Sequence, residues 1–305
     1  MARPAVIRKG STPKVPFWTR LRRRSLRAWS EFRLQRVKAR YRRGIGAGQE
    51  KTVAFVLGCQ RSGTNMVLRT LGLSLDVDPV EESDRRCFQD SRIMDRQTRD
   101  ALIAQSTARC IIFKPICDSH RAVDLFAEHH GSKAVWVYRR YSDVANSAVR
   151  YWADQMQTFI EDLLQGGGDW GVAQWNRERV TDACIARMKE AAGDGLDPHG
   201  GAALFWYMRN RTFFDQELKH CPSMALLRYE DAVTESAREF ERLCLFLDVR
   251  FEPTMVDKVF PTSLGKHPRP PISRPVERLY DEMMEQLDAA RASMANSPAL
   301  ARKEG

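Results

Sequence analysis

The segment that most restricts the fold runs from residue 52 to residue 71. It opens on TVAFVL, passes through GCQRSGT at 58–64 and continues as NMVLRTL. An apolar run that short, rich in β-branched and aromatic residues, reads as a strand buried on both faces, as strands of parallel sheets are. After the loop the apolar positions return at helical spacing. A strand that feeds a helix through a glycine-bearing turn commits the chain to a layered α/β architecture, because a parallel neighbour can be reached only through a crossover.

The pattern repeats downstream. CIIFKPI at 110–116, KAVWVYRR at 133–140 and SMALLRY at 223–229 read as further strands. Helices are expected near 91–106, over SHRAVDLFAEHH before Gly131, over YSDVANSAVRYW at 141–152 and over SAREFERLCLFL at 236–247. Residues 171–218 read as mostly helical, with Trp175, Val180, Ile185, Met188, Leu204, Phe205, Met208 and Phe213 as the apolar stripe, and this region is expected to cover the site. HPRPPISRP marks an irregular loop before a last helix, RLYDEMMEQL. The expected fold is α/β, a P-loop-like parallel sheet flanked by helices. It forms a single domain over 49–305, with helical insertions near 155–218 and no internal repeat.

Charge divides the chain differently. The formal net charge is +10, yet residues 1–44 hold fifteen Lys or Arg against the single acid Glu31, so the remainder is slightly acidic. Residues 1–48 form a basic arm whose glycine-rich end, Gly44 to Gly48, reads as a linker. Phe17, Trp18, Leu21, Trp29, Phe32, Leu34, Val37 and Tyr41 interleave with the arginines. Two readings stay open for this arm. One is a solvated tail; the other is a basic helix on an anionic partner, a membrane surface ahead of nucleic acid because of the aromatic residues. No stretch reaches the roughly 18 apolar residues of a membrane span, and the N-terminus has no apolar leader core. Seven cysteines with no C-x-x-C pair read as free thiols of a reducing compartment. His120, His129, His130, His199, His220 and His267 show no metal-ligand spacing. The expected location is the cytoplasm, with the arm able to hold the chain on the membrane's inner face.

At 58–64 the backbone amides of a strand-to-helix turn can converge on a phosphate, helped by the helix dipole. The two glycines have the spacing of a Walker A loop, but Thr64 stands where a nucleoside triphosphatase needs Lys. Arg61 puts a cation inside the loop instead. A second anchor is Arg139 at a strand end, with Ser147 eight residues later on the next helix. In an open α/β sheet such a residue faces the crevice at the carboxyl ends of the strands. A P-loop kinase acting on ATP is the rival that the absent lysine counts against. A nonenzymatic binder working through the arm is the other.

Taken together, Gln60-Arg61-Ser62-Gly63-Thr64 and the Arg139 to Ser147 pair resemble the two nucleotide motifs of sulfotransferases that use 3′-phosphoadenosine-5′-phosphosulfate (PAPS). LLRYEDAVTESAREFERLCLFLDVRFEP resembles the family's C-terminal strand and helix. The resemblance spans about residues 50–260, and departs from the family where Arg140-Tyr141 replaces the usual Asp-Pro or Asn-Pro. It implies that Arg61, Ser62, Gly63, Thr64 and Asn65 bind the 5′-phosphosulfate. Arg139, Ser147 and Lys266 would bind the 3′-phosphate, a hydroxyl-bearing compound would be the acceptor, and no metal would be needed. Lys114 matches the family's strand-end lysine, but Ile116 occupies the place of the histidine base of cytosolic members. Glu81-Glu82-Ser83, 20 and 21 residues after Arg61 for the two acids, resembles the Glu-Glu-Thr of protein-tyrosine sulfotransferases. Glu82 is thereby the expected general base, with Glu81 the second choice and Arg61 and Lys114 the catalytic cations.

Overall fold

The computed structural model describes residues 17–43, 51–168, 171–193 and 195–295; the linker expected at 44–48 lies outside them. Five parallel strands form the central sheet: β1 (Thr52–Gly58), β2 (Val77–Val80), β5 (Cys110–Phe113), β6 (Lys133–Tyr138) and β7 (Met224–Arg228), in the order β2-β5-β1-β6-β7. β1 lies at the centre, registered with β5 through Thr52 and Cys110 and with β6 through Ala54 and Lys133. The chain builds first towards one edge and then towards the other. Its direction reverses at β1, which puts a crevice at that strand's carboxyl end.

Alternation along β1 explains how both faces are buried. Phe55 and Leu57 pack on one side with Trp136, Tyr138 and the helices α5 (Tyr141–Trp152), α6 (Gln155–Leu164), α8 (Pro198–Asp215) and α11 (Arg274–Ala295). Ala54 and Val56 pack on the other with α2 (Thr64–Leu71) and α10 (Ser236–Leu247). Helices α3 (Arg96–Gln105), α4 (Ala122–Glu128), α7 (Asp182–Ala192) and α9 (Tyr229–Thr234) complete the layers.

Three elements differ from the sequence expectation. β2, VDPV, has two half-buried middle residues, one of them a proline, and it is tolerated because it is an edge strand whose Pro79 need donate nothing outward. A two-stranded hairpin, β3 (Phe88–Gln89) with β4 (Arg92–Ile93), takes the first residues of the helix expected from 91. Its turn residues Asp90 and Ser91 both have positive φ, 49° and 63°, as a type I′ turn requires. α3 then starts after Asp95, whose carboxylate accepts from the Thr98 amide at 2.9 Å. The region expected as a cover over the site is core where α8 runs: thirteen of its residues are buried, including Leu204, Phe205, Met208 and Phe213 of the expected apolar stripe. Trp175, Val180 and Ile185 are only half-buried.

The basic arm contains one continuous helix, α1 (Phe17–Arg43). Its C-terminal part is seated on the body. The Lys38 ammonium, buried to 1% exposure, donates to the carbonyls of Gly72 and Val77 at 2.6 and 2.5 Å. Arg42 donates to Leu75 O and Val77 O and pairs with Asp78 at 2.7 Å. Among the described residues no helix is long and apolar enough to cross a membrane.

Candidate active site

Every strand of the sheet delivers a polar group where it ends. β1 runs into the Gly58–Thr64 loop, β2 into Glu81 and Glu82, β5 into Lys114, β6 into Arg139 and β7 into Tyr229. Parallel strands share one carboxyl end, so these side chains gather at one rim although up to 171 positions separate them in sequence.

The loop is shaped by two glycines at positive φ. A Cβ on Gly58 (φ 131°) would lie 2.3 Å from the Val137 carbonyl oxygen of the neighbouring strand, and one on Gly63 (φ 95°) 2.2 Å from the Tyr229 ring. Between them Arg61 takes a left-handed φ of 68°, which turns its side chain out of the loop. Gly63 caps α2 without a side-chain acceptor, so the first-turn amides of Thr64 and Asn65 are left for an anion. Thr64 is buried and Asn65 exposed.

Arg61 and the helix after β6 meet directly. The Arg61 guanidinium donates to Ser147 Oγ at 2.9 Å and lies over the Tyr151 ring at 4.9 Å. Burial lowers its pKa below the ordinary arginine value, and the positive charges of Arg139 and Arg150 act in the same direction. Arg139 is buried, with its guanidinium 4.2 Å from the centre of the Tyr229 ring. It donates to Ser263 O at 2.8 Å and pairs with Asp143 at 3.2 Å. The Ser263 contact ties in the loop that carries Lys266 three residues later, and Lys266 itself is exposed. The structure therefore brings Arg61 to Ser147 and ties Arg139 to Ser263, three residues before Lys266.

On the other side of β1 the Lys114 ammonium, buried at the end of β5, donates to the Glu82 carboxylate. Burial raises the Glu82 pKa, and Lys114 only partly offsets it. Glu81, its neighbour, points elsewhere and pairs at the surface with Arg69 at 3.1 Å. Beyond Glu82 lies a polar network: Arg92 joins Asp118 and Glu178, and His120 Nε2 contacts Glu178 at 2.8 Å. Burial lowers the His120 pKa to about 4. Gln60 of the loop reaches this side, 4.0 Å from Cys117 Sγ.

Four buried polar atoms at this rim have no hydrogen-bond partner: Gln60 Oε1, Ser62 Oγ, Glu82 Oε1 and Arg139 Nε. Buried polar atoms are almost always satisfied, and a polar ligand bridging the two sides would satisfy these four. Sequence reasoning missed Tyr151, Tyr229, Asp143 and Arg209. Tyr151 was within reach, because it stands four residues after Ser147 on one helix face. Arg209, wholly buried on α8, donates to Ile116 O at 2.9 Å and faces Trp175; nothing near it in sequence announces that role.

The sequence profile of the sulfotransferase family matches residues 54–253. Among solved structures, the sulfotransferase domain from the curacin biosynthetic pathway is 15% identical over 78% of this chain and 99% of its own, with a TM-score of 0.47. A sulfotransferase from Alicyclobacillus acidocaldarius is 14% identical over 83% and 100%, with a TM-score of 0.43. Mouse sulfotransferase SULT7A1 complexed with PAP is 12% identical over 83% and 88%, with a TM-score of 0.37. A comparison with curated protein sequences gave no match.

Proposed function

Because the chain belongs to the sulfotransferase family, we propose that it moves a sulfuryl group from PAPS to a hydroxyl on a carbohydrate, a lipid or another small molecule. The observation that carries this reading is the meeting of Arg61 with Ser147 at 2.9 Å, beside loop amides left without a capping side chain. Bound PAPS supplies a sulfuryl group activated by its 5′-phosphate. The Thr64 and Asn65 amides, with Ser62 Oγ and Arg61, hold the 5′-phosphosulfate. Ser147 and Arg139 hold the 3′-phosphate, and Lys266 closes on it from the Ser263 loop.

Glu82 accepts the proton of the acceptor hydroxyl as that oxygen bonds to the sulfur, the bond from sulfur to the 5′-phosphate oxygen breaks, and adenosine 3′,5′-bisphosphate leaves. Its burial supports this role, since a carboxylate with raised proton affinity is a better base than one in water. Lys114 holds Glu82 in place and, with Arg61, offsets the negative charge that gathers on the oxygens around the transferring group. These cations and the loop amides carry the work that Mg²⁺ has in kinases.

Calorimetry with adenosine 3′,5′-bisphosphate and with ATP tests the nucleotide assignment. The bisphosphate should bind far better, since a charge-assisted arginine contact to its 3′-phosphate contributes on the order of 1.5–3 kcal/mol. Equal affinities would overturn it in favour of a kinase-like site. Incubating the protein with labelled PAPS and a host extract, then isolating the labelled product, identifies the acceptor.

A further inference from the structure

Seating α1 on the body divides that helix into two faces. At about 100° per residue, Leu34, Lys38, Tyr41 and Arg42 share the face turned to the protein, and each is buried or half-buried. The opposite face carries Trp29 and Phe32, which are 60% and 58% exposed, while Val37, 52% exposed, stands at its flank next to Tyr41. Interleaved with them on that same face are the exposed Arg33, Arg36, Arg40 and Arg43. Arg33 lies 4.9 Å from the Trp29 ring centre and Arg36 5.8 Å from that of Phe32.

We propose that this outward face of α1 is a docking surface for an anionic lipid bilayer. Four arginines complement a layer of lipid phosphates, and a helix lying in the interface lets the two aromatic rings enter the apolar region beneath while the guanidiniums stay at headgroup depth. A nucleic-acid backbone matches the charge but gives the two rings no apolar phase to leave water for. The seat also sets the orientation. Lys38 is fixed by Gly72, just past the end of α2, and by Val77, the first residue of β2. Both lie at the end of the sheet opposite to the crevice, so a bilayer on α1 leaves the strand carboxyl ends open to solvent.

The test is co-sedimentation of the full chain with phosphatidylcholine vesicles, with and without phosphatidylserine, at low and high salt. Binding should require phosphatidylserine and fall steeply with salt. R33E/R36E/R40E should weaken it by about a hundredfold or more, at roughly 1 kcal/mol for each basic residue near the surface. W29S/F32S should abolish it at equal charge. Both variants alter only exposed side chains, so melting temperature and affinity for adenosine 3′,5′-bisphosphate should be unchanged. Three outcomes would overturn the proposal. They are no binding to phosphatidylserine vesicles at low salt, binding that survives either variant, and salt-sensitive capture of a DNA or RNA duplex that W29S/F32S leaves intact while vesicles are ignored.

Discussion

On the β6 side of β1 the cations exceed their carboxylates. Arg61 makes no ion pair among the described residues and rests on a hydroxyl and a ring, while Arg139 has Asp143 and a carbonyl. On the β5 side charge is matched at short range: Lys114 by Glu82, and Arg92 by Asp118 and Glu178. Unmatched guanidiniums at a rim favour an anionic ligand. A matched buried pair costs desolvation that its own attraction barely recovers, so Lys114 and Glu82 are poorly explained as a stabilising contact. Under the proposed function, this difference assigns one side to the phosphates and the other to the proton.

The largest effect expected from breaking this division is on Glu82. Glu82→Gln should lower turnover roughly 10²- to 10⁴-fold, as removal of a general base does, with unchanged affinity for adenosine 3′,5′-bisphosphate. The base must be ionised, and its pKa is raised by burial. Activity should therefore fall on acidification at a higher pH than an ordinary carboxylate would dictate. Stability should respond with the opposite sign. A raised folded-state pKa means that the folded chain takes up this proton more readily than the unfolded one, so the contribution of Glu82 is present at low pH and is lost as pH rises through the raised value. A pH–rate profile and denaturation midpoints on the wild type and Glu82→Gln measure both.

Next in size come the two arginines of the other side. Arg61→Met and Arg139→Met should each weaken the bisphosphate by about 1.5–3 kcal/mol, roughly 10- to 150-fold. They should separate in stability. Arg61 has no carboxylate to strand, whereas losing Arg139 leaves Asp143, itself buried, without its cation and Ser263 O without its donor, a further cost of about 1–3 kcal/mol. Calorimetry with urea denaturation distinguishes a binding cation from one that also supports the fold. Equal stability losses would mean that the two sides differ less than their ion pairs indicate.

Strands buried on both faces were legible, since an uninterrupted apolar run is their signature, and α5 and α10 were legible to the residue from their spacing. β2 was hidden because an edge strand can carry Asp78 and Pro79. The β3–β4 turn was hidden because Asp90 and Ser91 adopt positive φ without a glycine to advertise it. Motif spacing led to Arg61, Arg139 and Ser147, but the Lys114–Glu82 contact joins residues 32 apart, and only family resemblance pointed to it. The seat of α1 left no trace in sequence, because Lys38 and Arg42 are received mainly by backbone carbonyls, which any residue supplies.

A smaller change sharpens the anion-holding side. Tyr151→Leu removes the ring over which Arg61 lies at 4.9 Å. A cation–π contact at a partly exposed site is worth about 0.5–1 kcal/mol, so the bisphosphate should bind roughly two- to fivefold more weakly, and turnover at saturation should fall by no more than a similar factor. A fall in turnover much larger than the loss of affinity would mean that the ring positions Arg61 chiefly against the transferring group.

The smallest expected effect is on Glu81, one residue from the proposed base. Its carboxylate meets Arg69 at 3.1 Å, but the two side chains are 37% and 65% exposed. Exposed pairs contribute about 0–1 kcal/mol, and successive residues leaving a strand face opposite ways. Glu81→Gln should therefore barely move either the denaturation midpoint or the rate. Glu81 stands at the offset from Arg61 next to that of Glu82, so the pair of variants reads out the register of the acidic segment. Loss of turnover in Glu81→Gln with a normal Glu82→Gln would move the base to the surface carboxylate and leave the buried pair with Lys114 a structural contact.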